Sequence, residues 1–349
     1  MIPHSRPSLG PDEAEVAAQV IRSGWVAQGP QTEGFEEDIA RQAGMAWGTA
    51  TSSGTAALHL ALLGIGAGPG DRVVIPSYVC VALLHAVRYV GAEPVIVDVD
   101  PETMNLDPDA LRRAAPGRLK AVILPHLFGL PAEVDAITAM GAPVIEDCAH
   151  AVGATVNGRP VGGLGTLSIY SFYATKMMTT GEGGMVVGQD SSIEERVRGL
   201  RDYDRPDAST IRFNYKMTDI QAAIGRVQLR RLPSFLDRRR QVAQVYDERF
   251  QSLHLGLPAG RPGAPHAYYR YIVRMNGNVA ETIARLDEAG VACRRPVAQP
   301  LHRLVGGPPC PGADAAFDRA LSIPIYPTLT DEEVEMVSQR VSRTLANRR

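Results

Sequence analysis

Four short runs in this chain are apolar along almost their whole length: VVIP at 73–76, PVIV at 94–97, AVIL at 121–124 and PVIE at 143–146. A strand with one wet face alternates apolar and polar residues, whereas a strand covered on both faces does not. Helical patterns at Thr55–Gly64 and Val79–Val90 separate these runs. Buried strands alternating with helices predict an α/β fold around a mostly parallel sheet. The strands expected are Trp47–Ser52, Arg72–Pro76, Glu93–Asp98, Leu119–Pro125, Pro143–Asp147, Thr166–Phe172 and Gly184–Gly188. A glycine turn joins the last two, so at least one of them is expected to run antiparallel.

From Thr218 the period changes. TDIQAAIGRVQLRRL and SFLDRRRQVAQVYDERF carry apolar residues at helical spacing, interrupted by Pro233. A Pro/Gly-rich link at 256–265 then leads to a second α/β segment. There Ala267–Met275 reads as a strand, and Val279–Ala289 and Asp331–Leu345 read as helices. With 349 residues the chain has room for a large domain, 1–235, and a smaller one, 236–349, that includes the connecting helix.

A net charge of −2 gives no reason to expect nucleic acid or an anionic membrane as partner. The first twenty residues lack a basic segment followed by an apolar stretch, and no apolar run reaches the ~20 residues of a membrane span. Cys80, Cys148, Cys293 and Cys310 show no metal-ligand spacing, so no metal is expected. A reduced, cytoplasmic protein is the expectation.

Lysine is scarce: Lys120, Lys176 and Lys216 stand against 33 arginines. Lys176 lies in SFYATKMMTTGEGG, where an apolar run meets a glycine-rich turn. A guanidinium stays protonated near neutral pH, whereas a desolvated lysine can lose its proton and condense with an aldehyde. On its own, Lys176 reads equally well as a surface lysine. Its company gives the chemical reading weight. SSGTAALHL at 52–60 leads from a strand into an apolar helix, and such a start offers free N–H groups to a phosphate. It also reads as a plain helix cap at Ser53 or Thr55. Glu146 and Asp147 end the PVIED strand, where ligands of open α/β sheets gather, or else they cap the next helix. Ser171 precedes Lys176 by five positions, and RFNYKMTDIQ at 212–221 places Asn214 at the head of the long helix.

Together these segments resemble the pyridoxal-phosphate-dependent aminotransferases of the DegT/DnrJ/EryC1/StrS group, mostly sugar aminotransferases. The resemblance runs nearly end to end, through SGWVAQGPQTEGFE, SSGTAALHLAL, GDRVVIPSY, VGAEPVIVDVD, PVIEDCAHAVGA, SFYATKMMTTGEGGMV, NYKMTDIQAAIGRVQL and SIPIYPTLTDEEV. It implies an aspartate-aminotransferase-like (type I) fold, a seven-stranded large domain with a smaller C-terminal α/β domain, and pyridoxal 5′-phosphate (PLP) that passes through its amine form (PMP) during turnover.

By that resemblance Lys176 is the Schiff-base lysine and proton shuttle, and Asp147 is the acid paired with the pyridine nitrogen. His150 lies against the ring and its phenolic oxygen. Gly54, Thr55, Ala56 and Ser171 form the phosphate cup. Asn214 reaches the phosphate of a neighbouring subunit, which implies a homodimer with shared sites. The group usually places an aromatic on the ring face two positions after a Pro-Ser-hydrophobic sequence. Here PSYVC puts Cys80 in direct register, with Tyr78 as the alternative by a local shift. Trp25, with Gly29 and Pro30, and Tyr173 are implied near the substrate, and His302 of a PLH segment near the active site of the partner chain. Arg294 and Arg295 read either as nucleotide contacts or as a solvated turn.

The function implied is amino transfer from L-glutamate or L-glutamine to a keto-sugar, in nucleotide-linked form, for surface-polysaccharide or secondary-metabolite biosynthesis. An aminocyclitol enzyme acting on a keto-inositol is the near rival. A PLP-dependent dehydratase and a PLP-binding regulator are more distant ones. Glu182 in GEGG leans the carbon acted on towards C4, because GDGG is commoner among enzymes acting at C3.

Overall fold

The computed structural model describes residues 1–114, 117–204 and 209–346. Its centre is a seven-stranded sheet built from β1 (Trp47–Thr51), β2 (Arg72–Pro76), β3 (Glu93–Val97), β4 (Ala121–Pro125), β5 (Val144–Asp147), β8 (Leu167–Ser171) and β9 (Gly184–Gly188). Between the last members of that series, β6 (Thr155–Val156) and β7 (Arg159–Pro160) form a small hairpin. The sheet order is β1-β9-β8-β5-β4-β2-β3. Only β9 runs against its neighbours, pairing antiparallel with both β1 and β8. All seven expected strands are present within two residues of their expected ends, and the antiparallel member is the one after the glycine turn.

Helices cover both faces, which is why the strands read as unbroken apolar runs. These are α1 (Pro11–Ser23), α2 (Pro30–Ala43), α3 (Gly54–Gly64), α4 (Ala82–Tyr89), α5 (Pro108–Ala114), α6 (Val134–Thr138) and α7 (Ser191–Arg201). The long α8 (Asp219–Phe250) comes next. Helices α1 and α2 each open on a proline and close on a left-handed glycine, Gly24 or Gly44. Helix α3 is apolar nearly all round and is buried over eight of its residues, so it lies inside the domain.

One expectation is corrected. Pro233 does not interrupt the helical stretch: α8 runs through it as one helix of 32 residues. A proline inside a helix removes one N–H bond to the preceding turn. Side-chain packing along the helix offsets that loss, with Leu232, Phe235 and Leu236 buried on either side of Pro233. A capping box of Thr218 and Gln221 fixes its start. Beside the cap, buried Asp219 accepts the N–H groups of Gly29, Gln31 and Thr32, tying the start of α8 to the start of α2.

The C-terminal segment contains β10 (Tyr271–Arg274) and β11 (Ala320–Ile323), paired antiparallel. Around them lie α9 (Val279–Glu288), α10 (Leu301–Val305), α11 (Pro311–Arg319) and α12 (Asp331–Ala346). Their apolar faces meet the second half of α8, through Val242, Tyr246 and Phe250, in a core of their own. Ile2 enters that core and pairs with Val291, so the N-terminus returns to the C-terminal layer. No described helix is long and apolar enough to cross a membrane.

Candidate active site

The sheet register decides which side chains meet. Gly184 of β9 pairs with Thr51 on one side and Ser171 on the other, so the ends of β1 and β8 lie either side of it. On β5, Asp147 pairs with Ile169 of β8. The carboxyl ends of three strands that run the same way therefore open into one cavity of about 240 Å³. Its lining includes Gly54, Thr55, Cys80, Asp147, His150, Ser171, Tyr173, Lys176 and Glu182.

At one end, α3 begins. Ser53 caps it by accepting the Ala56 N–H through Oγ at 3.1 Å, so the Ala56 amide is already used. The amides of Gly54 and Thr55, first in the helix, have no carbonyl a turn behind them, and both residues line the cavity together with Ser171. A Cβ on Gly54 would stand 2.7 Å from Ser171 Cβ, so glycine alone permits this approach.

At the other end lies Asp147. Its Oδ1 accepts the Ala149 N–H at 3.0 Å, and its Oδ2 takes no hydrogen bond from the described residues. Burial pushes its pKa up; the Ala149 N–H and the charges of Lys176 and His126 work against that. Glu146, one residue earlier, faces the other side of the strand. There His126 and the amides of Gly162, Leu164 and Gly165 fill its oxygens. Asp147 is thus the acid left for a ligand. The buried cluster of His126, Glu146 and Cys148 has metal-ligand residue types, but the Glu146 oxygens are already committed to these donors.

Lys176 sits on the turn after β8, held by its N–H to the Tyr173 carbonyl, and makes no ion pair among the described residues. Its Nζ lies 5.3 Å from the centre of the Tyr269 ring. Tyr269 stacks on His150 at 4.2 Å, and Phe128 stacks on His150 at 5.8 Å. His150 Nδ1 accepts the Phe128 N–H at 3.4 Å. Burial, with the charges of Lys176 and Arg270, holds the His150 pKa well below its usual value, so the ring is neutral.

Tyr269 and Phe128 were not legible as site residues. Tyr269 falls in a run that alternates like an ordinary strand, and Phe128 in a loop that carries no motif. The two loops cross at Gly129, where φ is +99° and an added Cβ would stand 2.8 Å from the Tyr268 and Tyr269 amide nitrogens, so glycine is required. Arg239 of α8, buried and without a carboxylate, donates to the carbonyls of Tyr268, Tyr269 and Ile325 and so fixes this crossing.

Of the remaining expected residues, Cys80 alone lines this cavity. Tyr78 is fully buried in the core, edge-on to Phe128, so of the two alternatives Cys80 is the one at the cavity. Trp25 is exposed and lines a separate cavity of about 600 Å³ with Pro30, Asp219 and Arg226. Asn214 is exposed and does not line the cavity of its own chain. Both ring nitrogens of His302 are engaged, by Ser77 and by Asp314. Arg294 pairs with Asp287, and Arg295 donates to the Phe317 carbonyl.

Three histidines set an acid limit for the fold. Burial lowers His150, and it lowers His4 and His266 to about 3 from 6.5. A depressed histidine is protonated in the unfolded chain before the folded one, so its contribution is present above about pH 6.5 and is lost as pH falls. Thermal midpoints are therefore expected to drop steadily from pH 7 to pH 5, before most carboxylates titrate. His266→Asn should flatten that slope; an unchanged slope would mean His266 does not contribute.

The sequence profile of the DegT/DnrJ/EryC1/StrS aminotransferase family matches residues 7–342. A UDP-N-acetyl-3-dehydro-alpha-D-glucosamine 3-aminotransferase of Acidithiobacillus ferrooxidans is 35% identical over 330 residues, covering 91% of this chain and 89% of the relative. Among solved structures, the aminotransferase TlmJ of Streptoalloteichus hindustanus superposes with a TM-score of 0.95 at 35% identity, covering 99% of both chains. Spr1654 of Streptococcus pneumoniae, solved in a PMP form, superposes at 0.94 with 28% identity, covering 99% of this chain and 98% of that one. The orphan Asp147 oxygen, the free α3 amides beside Ser171 and the unpaired Lys176 amine fit the ring nitrogen, phosphate and aldehyde of pyridoxal phosphate. With its fold, its cavity and these relatives in agreement, the chain belongs to the DegT/DnrJ/EryC1/StrS aminotransferase family and is a PLP-dependent aminotransferase.

Proposed function

We propose that this enzyme transfers an amino group from L-glutamate or L-glutamine to a nucleotide-linked keto-sugar. The observation that carries the reading is the gathering of Lys176, Asp147, His150, Ser171 and the α3 amides around one cavity, in a chain 35% identical to an enzyme named for such a substrate. When bound, pyridoxal phosphate supplies a conjugated ring that takes up the electron pair released at the substrate carbon. The protein's part is to hold and to move protons. Lys176 Nζ takes the proton from the substrate carbon and returns it on the other side of the exchange. Asp147 Oδ2 would hold the ring N–H of the cofactor, whose positive charge would offset the burial that raises the Asp147 pKa. Ser171 with the Gly54 and Thr55 amides binds the phosphate. His150, kept flat by Tyr269 and Phe128, bounds the ring, with Cys80 also at its wall.

A carboxylate-bearing donor has a partner in waiting. Arg270 has no carboxylate partner among the described residues. It lies 4.7 Å from the centre of the Tyr269 ring, and its Nη2 donates to the Tyr269 hydroxyl. A half-buried guanidinium without an anion favours an anionic ligand. We further assign the active unit as a homodimer in which exposed Asn214 serves the partner's phosphate site, with the Trp25 cavity lying towards the substrate.

The test is incubation with glutamate or glutamine and a panel of 3-keto and 4-keto sugar nucleotides and keto-inositols, read by mass of the amino product. Product from a sugar nucleotide supports the reading and identifies the carbon. Product only from a keto-inositol replaces it with the aminocyclitol function. Arg270→Gln should raise KM for the donor by about tenfold, the loss of one charged hydrogen bond, and leave KM for the keto substrate unchanged. Equal KM for the donor in parent and variant would remove Arg270 from the site.

A further inference from the structure

A buried hydrogen bond between Ser77 and His302, with the half-buried Asp314 carboxylate beside the far side of the ring, joins the end of β2 to the C-terminal segment. Ser77 Oγ lies 2.7 Å from His302 Nδ1, and His302 Nε2 lies 3.2 Å from Asp314 Oδ1. Asp314 Oδ1 is itself held by Arg303, so the directional bond of the His302 ring is the one to Ser77. The backbone joins in: the Leu301 N–H donates to the Ser77 carbonyl at 2.7 Å, and the His302 N–H to Ser77 Oγ at 3.3 Å. Serine, histidine and aspartate in this order suggest a nucleophile at first sight. Ser77 is 0% exposed and lines no described cavity, so no substrate reaches it.

The three residues after Ser77 lead straight to the cofactor cavity. Tyr78 is buried and its hydroxyl has no partner, so it anchors the turn by packing and adds no directional bond. Val79 and Cys80 come next, and both line the active-site cavity. Within the turn the Leu83 N–H donates to the Cys80 carbonyl at 3.3 Å, and the hydrogen bonds of Ser77 are what tie this turn to the C-terminal segment. We propose that the Ser77–His302 pair is a latch through which the C-terminal segment sets the position of the Val79–Cys80 wall of the cofactor cavity. His302 is then a positioning residue that acts through Ser77.

A second connection between the same layers supplies the control. Asp98, just after β3, accepts the N–H groups of Gly312 and Ala313 at the start of α11, at 2.8 Å each. It bonds neither Ser77 nor the cavity wall; because α11 also carries Asp314, breaking it loosens the far side of the His302 ring while leaving the Ser77–His302 bond in place.

The chain carries its own probe for the test. Cys80 is exposed, whereas Cys148, Cys293 and Cys310 are buried. Its rate of reaction with a disulfide reagent such as dithionitrobenzoate reports the wall directly. The full-length protein is compared as parent, Ser77→Ala, His302→Ala, His302→Asn and Asp98→Asn, with and without PLP, alongside thermal midpoints. Ser77→Ala removes one oxygen and no carbon from a buried site, so it folds even where His302→Ala does not.

The latch predicts that Ser77→Ala and His302→Ala change the Cys80 rate without PLP, and weaken PLP binding, by about tenfold. His302→Asn, whose amide can meet Ser77 where Nδ1 did, should recover most of the parent rate. Asp98→Asn should lower the thermal midpoint yet leave the Cys80 rate at the parent value. A Ser77→Ala protein with the parent's Cys80 rate would overturn the proposal, whatever its midpoint. An equal change in Asp98→Asn would overturn it too, by reducing the latch to general adhesion. This inference rests on the proposed site only for its PLP arm. The rate without PLP reads the latch alone, so its failure and that of the cofactor assignment are separate results.

Discussion

Lys176→Ala is expected to lower transamination by about 10⁴-fold, the upper range for loss of a general acid–base group. No other lysine can stand in. Lys216 is paired with Asp202 at 2.8 Å, and Lys120 lines a cavity with Arg112 and Arg118 away from Asp147. Borohydride reduction of the loaded parent should leave the pyridoxyl mass on the peptide containing Lys176; a label on Lys120 or Lys216 would refute the assignment. The same variant tests the shared site. Co-expressed with Asn214→Ala, it forms hybrids in which one site collects both lesions and the other carries none. If Asn214 serves the partner, those hybrids regain activity that the Lys176→Ala protein lacks. If it serves its own chain, every hybrid site keeps one lesion and no activity returns.

Asp147→Asn is expected to slow turnover by about 10²-fold, since a charge-assisted hydrogen bond of ~3 kcal/mol is lost. Its effect on stability should run the other way. Burial raises the pKa of Asp147, so its ionised form costs the cofactor-free fold stability. That cost is absent below the unfolded carboxyl value of 3.8, grows as pH rises, and is complete above the raised folded value. At neutral pH the cofactor-free asparagine variant should therefore melt no lower than the parent, while gaining less from added PLP. A variant with parental turnover would leave Asp147 as a cap of the following turn, a role its Ala149 bond already shows. Glu146 would not inherit the task, because its oxygens are filled from the opposite face.

Sheet and site were legible to different depths for physical reasons. Strands β2 and β9 have their expected ends to the residue, because unbroken apolar runs flanked by polar or turn residues leave little freedom. The turn holding Lys176 and the strand end holding Asp147 could be read because one chemistry requires both, at places where α/β sheets bind ligands. Pro233 misled because proline lowers local helix propensity, while packing on either side of it is a tertiary effect that local sequence does not express. Tyr269 and Arg270 were missed for the opposite reason. Their spacing is that of a strand, and only the crossing at Gly129, more than a hundred residues away, turns them towards Lys176. His302, which the resemblance implies for the partner chain's site, has its ring against Ser77 and Asp314 in its own chain.

The position of β9 has a consequence for how the chain is made. Strand β1 has β9 as its only neighbour in the sheet, and Trp47 pairs with Gly188, about 140 residues later. At bacterial-scale synthesis of ~5–20 residues per second, β1 waits many seconds on the ribosome with an open edge. Its sequence, WGTAT, is short and carries no charge to discourage pairing with another strand. Nascent chains that stop before Gly184 leave that edge open and the α3 start without its neighbour across β9. Exposure of the β1 edge is therefore expected through the first half of synthesis, until the five residues of β9 are made.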